Sequence, residues 1–143
     1  DACPTKTETI RVATRHKIIV YIVSNGGIRP STNPLVRTIV VNSGPDTADD
    51  WIVNHIFRND IVITSDMPLA NQCIKKGAYV ISVSGETIDE RNIGIIIASR
   101  NLMHYIRSAD LFHRAKGKKY SKSDRIRYIN ALEKVIQTIK KSL

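Results

Sequence analysis

Short hydrophobic runs alternate with amphipathic stretches along the first two thirds of the chain. β-Branched apolar runs at residues 17–23, 38–41, 61–64 and 78–83 predict strands that are buried on both faces. The segments between them carry helical periodicity with start and stop signals, which predicts helices over residues 4–15, 46–57 and 68–76. This alternation predicts an α/β fold, with a parallel sheet and helices on both of its faces.

The last third of the chain is predicted to be helical. Apolar positions spaced as on one helix face begin at Ile93, and a polar, basic loop follows over residues 113–122. Ser121 and Asp124 have the spacing of a capping box in front of a second amphipathic helix. We therefore expect one domain over residues 1–143, with an α/β body over 1–99 and a basic helical extension over 100–143.

The net charge of +9 comes entirely from that extension. Residues 1–99 contain ten basic and ten acidic residues, whereas residues 100–143 contain twelve basic and three acidic ones. Such asymmetry indicates a polyanionic partner, most often nucleic acid, although a solvated helix face is the alternative. The candidate phosphate-binding residues are Arg100, Lys116, Lys118, Lys119, Lys122 and Arg125.

Aspartates follow the predicted strands. Asp66 comes directly after the third strand, Asp49 and Asp50 follow the second, and Asp1 precedes the first helix. Because the carboxyl ends of parallel strands meet at one edge of a sheet, these carboxylates would converge and would require a cation such as Mg²⁺ or Mn²⁺. Asp46, Asp49 and Asp66 taken singly also fit helix caps, whereas Asp50 lies too deep in its helix for that role.

The cysteines and two aromatic residues indicate less about function. The two cysteines form no disulfide framework, and a reducing cytoplasm is the expected compartment. Cys3 has no histidine at a spacing that suggests a nucleophile, so a buried thiol is preferred. Trp51 is predicted to lie in the core, and Tyr120 is a candidate for stacking on a base.

Several motifs in order and spacing resemble those of the bacterial YaiI/YqxD family. They are Asp1-Ala2-Cys3-Pro4, residues 46–53, residues 60–70 and Asn92-Ile93-Gly94. The resemblance covers nearly the whole chain and implies a PIN-like three-layer α/β/α fold with a mainly parallel sheet and C-terminal helices. Many PIN-like proteins are Mg²⁺- or Mn²⁺-dependent ribonucleases with clustered acids, although fold alone does not establish function.

The resemblance also assigns individual residues. Asp66 is similar to the acid in the Thr-x-Asp that follows a strand, Asp49 or Asp50 to the helical acid, with Asp50 favoured, and Asp1 belongs to the opening motif. The family usually opens with an apolar strand ending in Asp-x-Asp-Ala-Cys-Pro, and this sequence starts at the second of those aspartates. We therefore expect a truncated chain from which the central first strand and first aspartate are missing.

These observations favour a divalent-metal-dependent nuclease that acts on RNA. Asp49, Asp50 and Asp66 are the expected catalytic residues, and Asp1, Asp50 and Asp66 the expected ligands of Mg²⁺ or Mn²⁺. One alternative is a PIN-like module that binds RNA without cleaving it. Another is a phosphatase that acts on a small phosphorylated substrate.

Overall fold

The computed structural model describes residues 5–26, 29–44, 46–109 and 121–142. Within these ranges the helices are α1 Lys6–Arg15, α2 Thr47–His55, α3 Met67–Lys75, α4 Ile93–Ala109 and α5 Lys122–Ser142. The strands are β1 Val20–Ser24, β2 Val36–Val40, β3 Ile61–Ile63, β4 Tyr79–Ile81 and β5 Thr87–Ile88. Helices and strands are interspersed along the chain through α4, which confirms the predicted α/β class. None of the helices in these ranges is long and apolar enough to cross a membrane.

The strands form two sheets rather than the single sheet that the sequence predicts. β1 pairs with β2 in parallel, β3 pairs with β4 in parallel, and β5 returns antiparallel to β4. No ladder of hydrogen bonds joins β1 to β3 in the part of the chain that the structure describes, so the sheet is divided between them. The pairing is mostly parallel, as predicted, and β5 is an addition that its two residues are too short to signal.

Helices cover both faces of the β3-β4-β5 sheet. Val62 and Val80 point into a core built with α2, α3 and α4. Their neighbours Ile61, Ile63 and Ile81 point the opposite way, into a core built with α1 and α5. This alternation follows from the period of two along a strand, and it explains why the runs are continuously apolar.

The start of α5 is held at the carboxyl end of β4. Ser121 and Asp124 form the predicted capping box, with the backbone N–H of each donating to the other's side chain at 3.0 and 3.1 Å. The buried Tyr128 places its hydroxyl 2.5 Å from Thr9 Oγ1 on α1. Gly85, at φ +87°, lies so close to α5 that a Cβ there would be 2.7 Å from the Tyr128 nitrogen. The basic helix thus packs on the same sheet edge as the residues that follow β3.

Candidate functional site

Two aspartates from successive helices meet beyond the carboxyl ends of the strands. Asp49 lies in the first turn of α2, and Asp66 occupies the N-cap of α3, directly after β3. Asp66 Oδ1 accepts a hydrogen bond from the Leu69 backbone N–H at 3.0 Å, so the cap fixes the orientation of this carboxylate. Near the other end of the helices, Lys76 Nζ donates to the Val53 carbonyl. The two helices therefore run side by side and bring their first turns together.

Burial and charge repulsion both act on this carboxyl pair, Asp49 and Asp66. Burial raises the pKa of Asp49, and the charges of Asp66, Asp46 and Asp50 raise that pKa further, as does a hydrogen bond to Asp66. Asp49 is half-buried, whereas Asp66 is exposed. A cation near two carboxyl groups that interact in this way would offset their repulsion.

The other predicted acids are placed differently. Asp46 is at the predicted N-cap position of α2, but its backbone is left-handed at φ 64° and its side chain makes no capping hydrogen bond. Thr47 Oγ1 ties the start of the helix to the preceding loop by donating to the Asn42 carbonyl at 2.6 Å. Asp50 is exposed and lines a cavity on another side of α2. Asp1 lies outside the described residues.

Two open cavities flank the carboxyl pair. The larger, of about 580 Å³, lies between α3 and α4. It is lined by Asp66, Met67, Pro68, Asn71, Ile97 and Asn101. The smaller, of about 360 Å³, lies between the end of β2 and α2. It is lined by Val40, Val41, Asn42, Thr47, Asp50, Trp51, Asn54 and His55. Asp66 of the pair lines the first cavity, and Asp50, the residue after Asp49 on α2, lines the second.

Trp51 is only half-buried and belongs to the smaller cavity, which the sequence did not lead us to expect. Its ring stacks on His55, with centroids 4.0 Å apart and planes 13° apart, and Tyr21 on β1 lies 6.0 Å away. The available signal was the spacing of Trp51 and His55, because residues four apart on a helix share one face. Trp51 is thus a surface aromatic residue rather than a core one.

The predicted phosphate-binding residues are only partly described. Lys122 is exposed at the first position of α5. Arg125 Nε lies 3.1 Å from Glu8 Oε1, so it serves an ion pair with a buried carboxylate. Lys116, Lys118 and Lys119 lie outside the described residues, as does the side chain of Arg100.

The described side chains offer few ligands for a divalent metal ion. Across the described ranges, no three His, Cys, Asp or Glu side chains come together as a metal site. Two carboxylates do meet, and Mg²⁺ is commonly held in proteins by one or two carboxylates together with water and substrate phosphates. The carboxyl pair therefore fits an open Mg²⁺ or Mn²⁺ site completed by a substrate, rather than a closed cage.

Comparisons with known proteins extend over almost the whole chain. Residues 1–138 match the family described as "Uncharacterized BCR, YaiI/YqxD family". A UPF0178 protein of Roseobacter denitrificans is 50% identical over 137 residues, which is 96% of this chain and 91% of the relative. A UPF0178 protein of Rhodospirillum rubrum is 42% identical over 142 residues, covering 99% of this chain and 94% of the relative. No solved structure matches the chain significantly. The protein therefore belongs to the YaiI/YqxD family, as its sequence motifs indicate.

Proposed function

We propose that this protein is a PIN-like, divalent-metal-dependent phosphodiesterase that cleaves RNA. The observation that carries the proposal is the carboxyl pair, in which Asp49 and Asp66 interact beyond the carboxyl ends of the strands. In open α/β sheets this edge is where ligands bind. The α/β architecture, with mostly parallel pairing and helices on both faces of one sheet, supports a PIN-like fold.

Asp49 and Asp66 are the proposed metal ligands, with Asp1 of the opening motif as a third. Asp1 precedes α1, whose first turn is tied to α5 by the ion pair of Glu8 with Arg125. When bound, Mg²⁺ or Mn²⁺ would supply an activated water and charge stabilisation for phosphodiester hydrolysis. Asp50 stays in the proposal as the alternative helical acid.

Backbone and side-chain groups of the protein itself orient the proposed metal ligands and can bind a phosphate. The Leu69 N–H holds Asp66 in one orientation, so little reorganisation is needed when a ligand arrives. Burial and the neighbouring carboxylates raise the pKa of Asp49, and a bound cation would offset this unfavourable charge. Asn71 and Asn101, in the larger cavity beside Asp66, can donate amide hydrogen bonds to a phosphate.

Cleavage of a labelled single-stranded RNA with Mn²⁺ or with chelator tests the proposal. Asp66→Asn and Asp49→Asn are expected to lose roughly 100-fold or more of the rate, since metal chemistry contributes several kcal/mol. Glu90→Gln, which removes an exposed carboxylate just ahead of α4, is the matched control and should retain the wild-type rate. Cleavage that persists in chelator, or an Asp66→Asn variant that cleaves as fast as wild type, would refute the assignment.

A second function, RNA binding without cleavage, is favoured by one observation. Among the described residues, no three His, Cys, Asp or Glu side chains form a set that could hold a metal ion. This alternative predicts salt-dependent RNA binding that survives chelation and shows no product. A screen with small phosphate esters in the same buffers distinguishes either function from a phosphatase.

A further inference from the structure

We infer that the smaller cavity is a binding site for a nucleobase of single-stranded RNA, and that it favours bases with an exocyclic amino group. We call it the aromatic cavity, and it comprises the eight residues from Val40 to His55 that line it, as given above. The inference rests on the proposed function and specifies how the substrate is held beside the carboxyl pair.

The first argument is the availability of a stacking surface. Trp51 is half-buried and stacks on His55, and the Tyr21 ring lies 6.0 Å away. Tyr21 is 53% exposed, so the group of rings remains open to solvent. A base that stacks on such an immobilised ring contributes binding energy with little ordering cost, and stacking tolerates any base because every base has a π-face.

The second argument is charge. Among the residues that the structure describes, neither lysine nor arginine lines the aromatic cavity, and Asp50 is the one charged lining residue. A carboxylate repels phosphate, so the nucleotide's backbone is disfavoured there and a neutral base is favoured. Asp50 accepts hydrogen bonds and cannot donate them when ionised, which suits the amino groups of adenine, cytosine and guanine.

The third argument concerns His55. Its Nδ1 lies 2.7 Å from the Trp51 carbonyl oxygen, which can only accept a hydrogen bond. The Nδ1 atom must therefore carry the proton, and in the neutral ring Nε2 is left as an acceptor. Asn42 and Asn54 add side-chain amides to the same lining. Both amides can donate as well as accept, whereas ionised Asp50 and the His55 Nε2 atom offer acceptors only, in agreement with an amino-bearing base as the ligand.

The position of the cavity relates it to the chemistry. Asp50 lines the aromatic cavity, while the preceding residue, Asp49, interacts with Asp66. One helical turn therefore presents the base site on one side and the proposed metal ligand on another. A nucleotide whose base stacks on Trp51 would therefore bind to the helix that carries Asp49.

Trp51 is the single tryptophan of the chain, so its intrinsic fluorescence reports on this cavity directly. The full chain is titrated in chelator with hexa-adenylate, hexa-uridylate and an abasic ribose-phosphate hexamer. Hexa-adenylate should quench Trp51 and bind more tightly than hexa-uridylate, and the abasic hexamer should not quench. Equal quenching and affinity for the abasic hexamer would overturn the inference, because contacts to the backbone alone would then explain binding.

Variants of the protein provide a second test, in which the binding of labelled hexa-adenylate is measured by fluorescence anisotropy. Trp51→Ala should weaken binding by about 5- to 150-fold, and Trp51→Phe should retain most of the affinity. Phe57→Ala is the matched control, because Phe57 is 73% exposed just beyond α2 and does not line the cavity. Wild-type affinity in Trp51→Ala, or an equal loss in Phe57→Ala, would overturn the inference.

Two further points allow the base site to be tested even if a variant does not fold, and separately from the proposed nuclease. If Trp51→Ala does not fold, protection of wild-type Trp51 from acrylamide by hexa-adenylate decides, and lack of protection counts against the site. Because binding is measured without metal, quenching without any Mn²⁺-dependent cleavage would refute the proposed nuclease and leave the base site standing. Mn²⁺-dependent cleavage without quenching of Trp51 would support the proposed nuclease and refute the base site.

Discussion

Replacing Asp49 by asparagine should stabilise the folded protein at neutral pH while removing its response to Mn²⁺. Asparagine keeps the size and polarity of the side chain and removes its negative charge. In the wild type, burial and the charges of three neighbouring aspartates raise the pKa of Asp49, so its ionised form is unfavourable in the folded state. Gains in stability on removing such a group are typical of functional sites.

The size of the effect follows from the environment of the pair. Two unit charges about 4 Å apart repel by about 1 kcal/mol in water and by about 4 kcal/mol at an effective dielectric constant near 20. Asp49 is half-buried and Asp66 is exposed, which favours the lower part of this range, about 1–2 kcal/mol. Loss of a favourable charge in the first turn of α2 offsets about 0.3–1 kcal/mol of that. The net gain should raise the Tm by about 1–5 °C.

The sign of the pH dependence is also determined. The folded-state pKa of Asp49 lies above its ordinary value of 3.8, so the folded protein binds more protons than the unfolded chain in that interval. Wild-type stability therefore falls as pH rises from about 3.8 through the folded pKa, and this contribution is absent from Asp49→Asn. The difference in the free energy of unfolding between Asp49→Asn and the wild type should grow as pH rises through that window and then level off.

Thermal denaturation across a pH series, with and without Mn²⁺, measures both effects. A ligand at one hundred times its dissociation constant stabilises by about 2.7 kcal/mol, so Mn²⁺ should raise the Tm of the wild type but not that of Asp49→Asn. Glu90→Gln, which removes one exposed carboxylate just ahead of α4, is the control and should keep the Mn²⁺ shift. An Asp49→Asn variant that is less stable than wild type at pH 7, or that keeps its Mn²⁺ shift, would refute the reasoning.

Three further predictions concern the packing that holds the site. Gly85→Ala should lower stability by at least about 2 kcal/mol more than Gly26→Ala in denaturant unfolding, because both have positive φ but only a Cβ at Gly85 would meet the backbone of α5. Burial and nearby positive charges lower the pKa of His16, so stability should fall as pH drops below about 6.5, and His16→Asn should abolish that fall in Tm. Arg125→Ala leaves the buried Glu8 carboxylate unpaired and should cost about 1–3 kcal/mol by denaturant unfolding, whereas adding Glu8→Gln should recover part of the loss.

Most of the helices and strands were predictable because their signals are local. The strand predicted over 17–23 is found at Val20–Ser24, and the helix predicted over 68–76 at Met67–Lys75. The capping box at Ser121 was also predictable, since both partners lie within four residues. Length, β-branching and capping residues determine such elements without reference to the rest of the fold.

The division of the sheet and the strand β5 were not predictable in this way. β5 contains two residues, too few for any pattern, and it forms because the turn at Gly85 returns the chain to β4. Whether β1 pairs with β3 depends on contacts between segments distant in sequence, and hydrophobicity carries no information on which strand edges meet.

For the site, local sequence settles that aspartates follow strands and begin helices, and hence that they gather at one edge of the fold. It does not decide between Asp49 and Asp50, because successive residues on a helix point about 100° apart. Only the rotation of α2, set by its packing on β1 and α3, directs Asp49 to Asp66 and leaves Asp50 and Trp51 on the surface of a separate cavity. That rotation is a property of the packed core and is not encoded in any single segment.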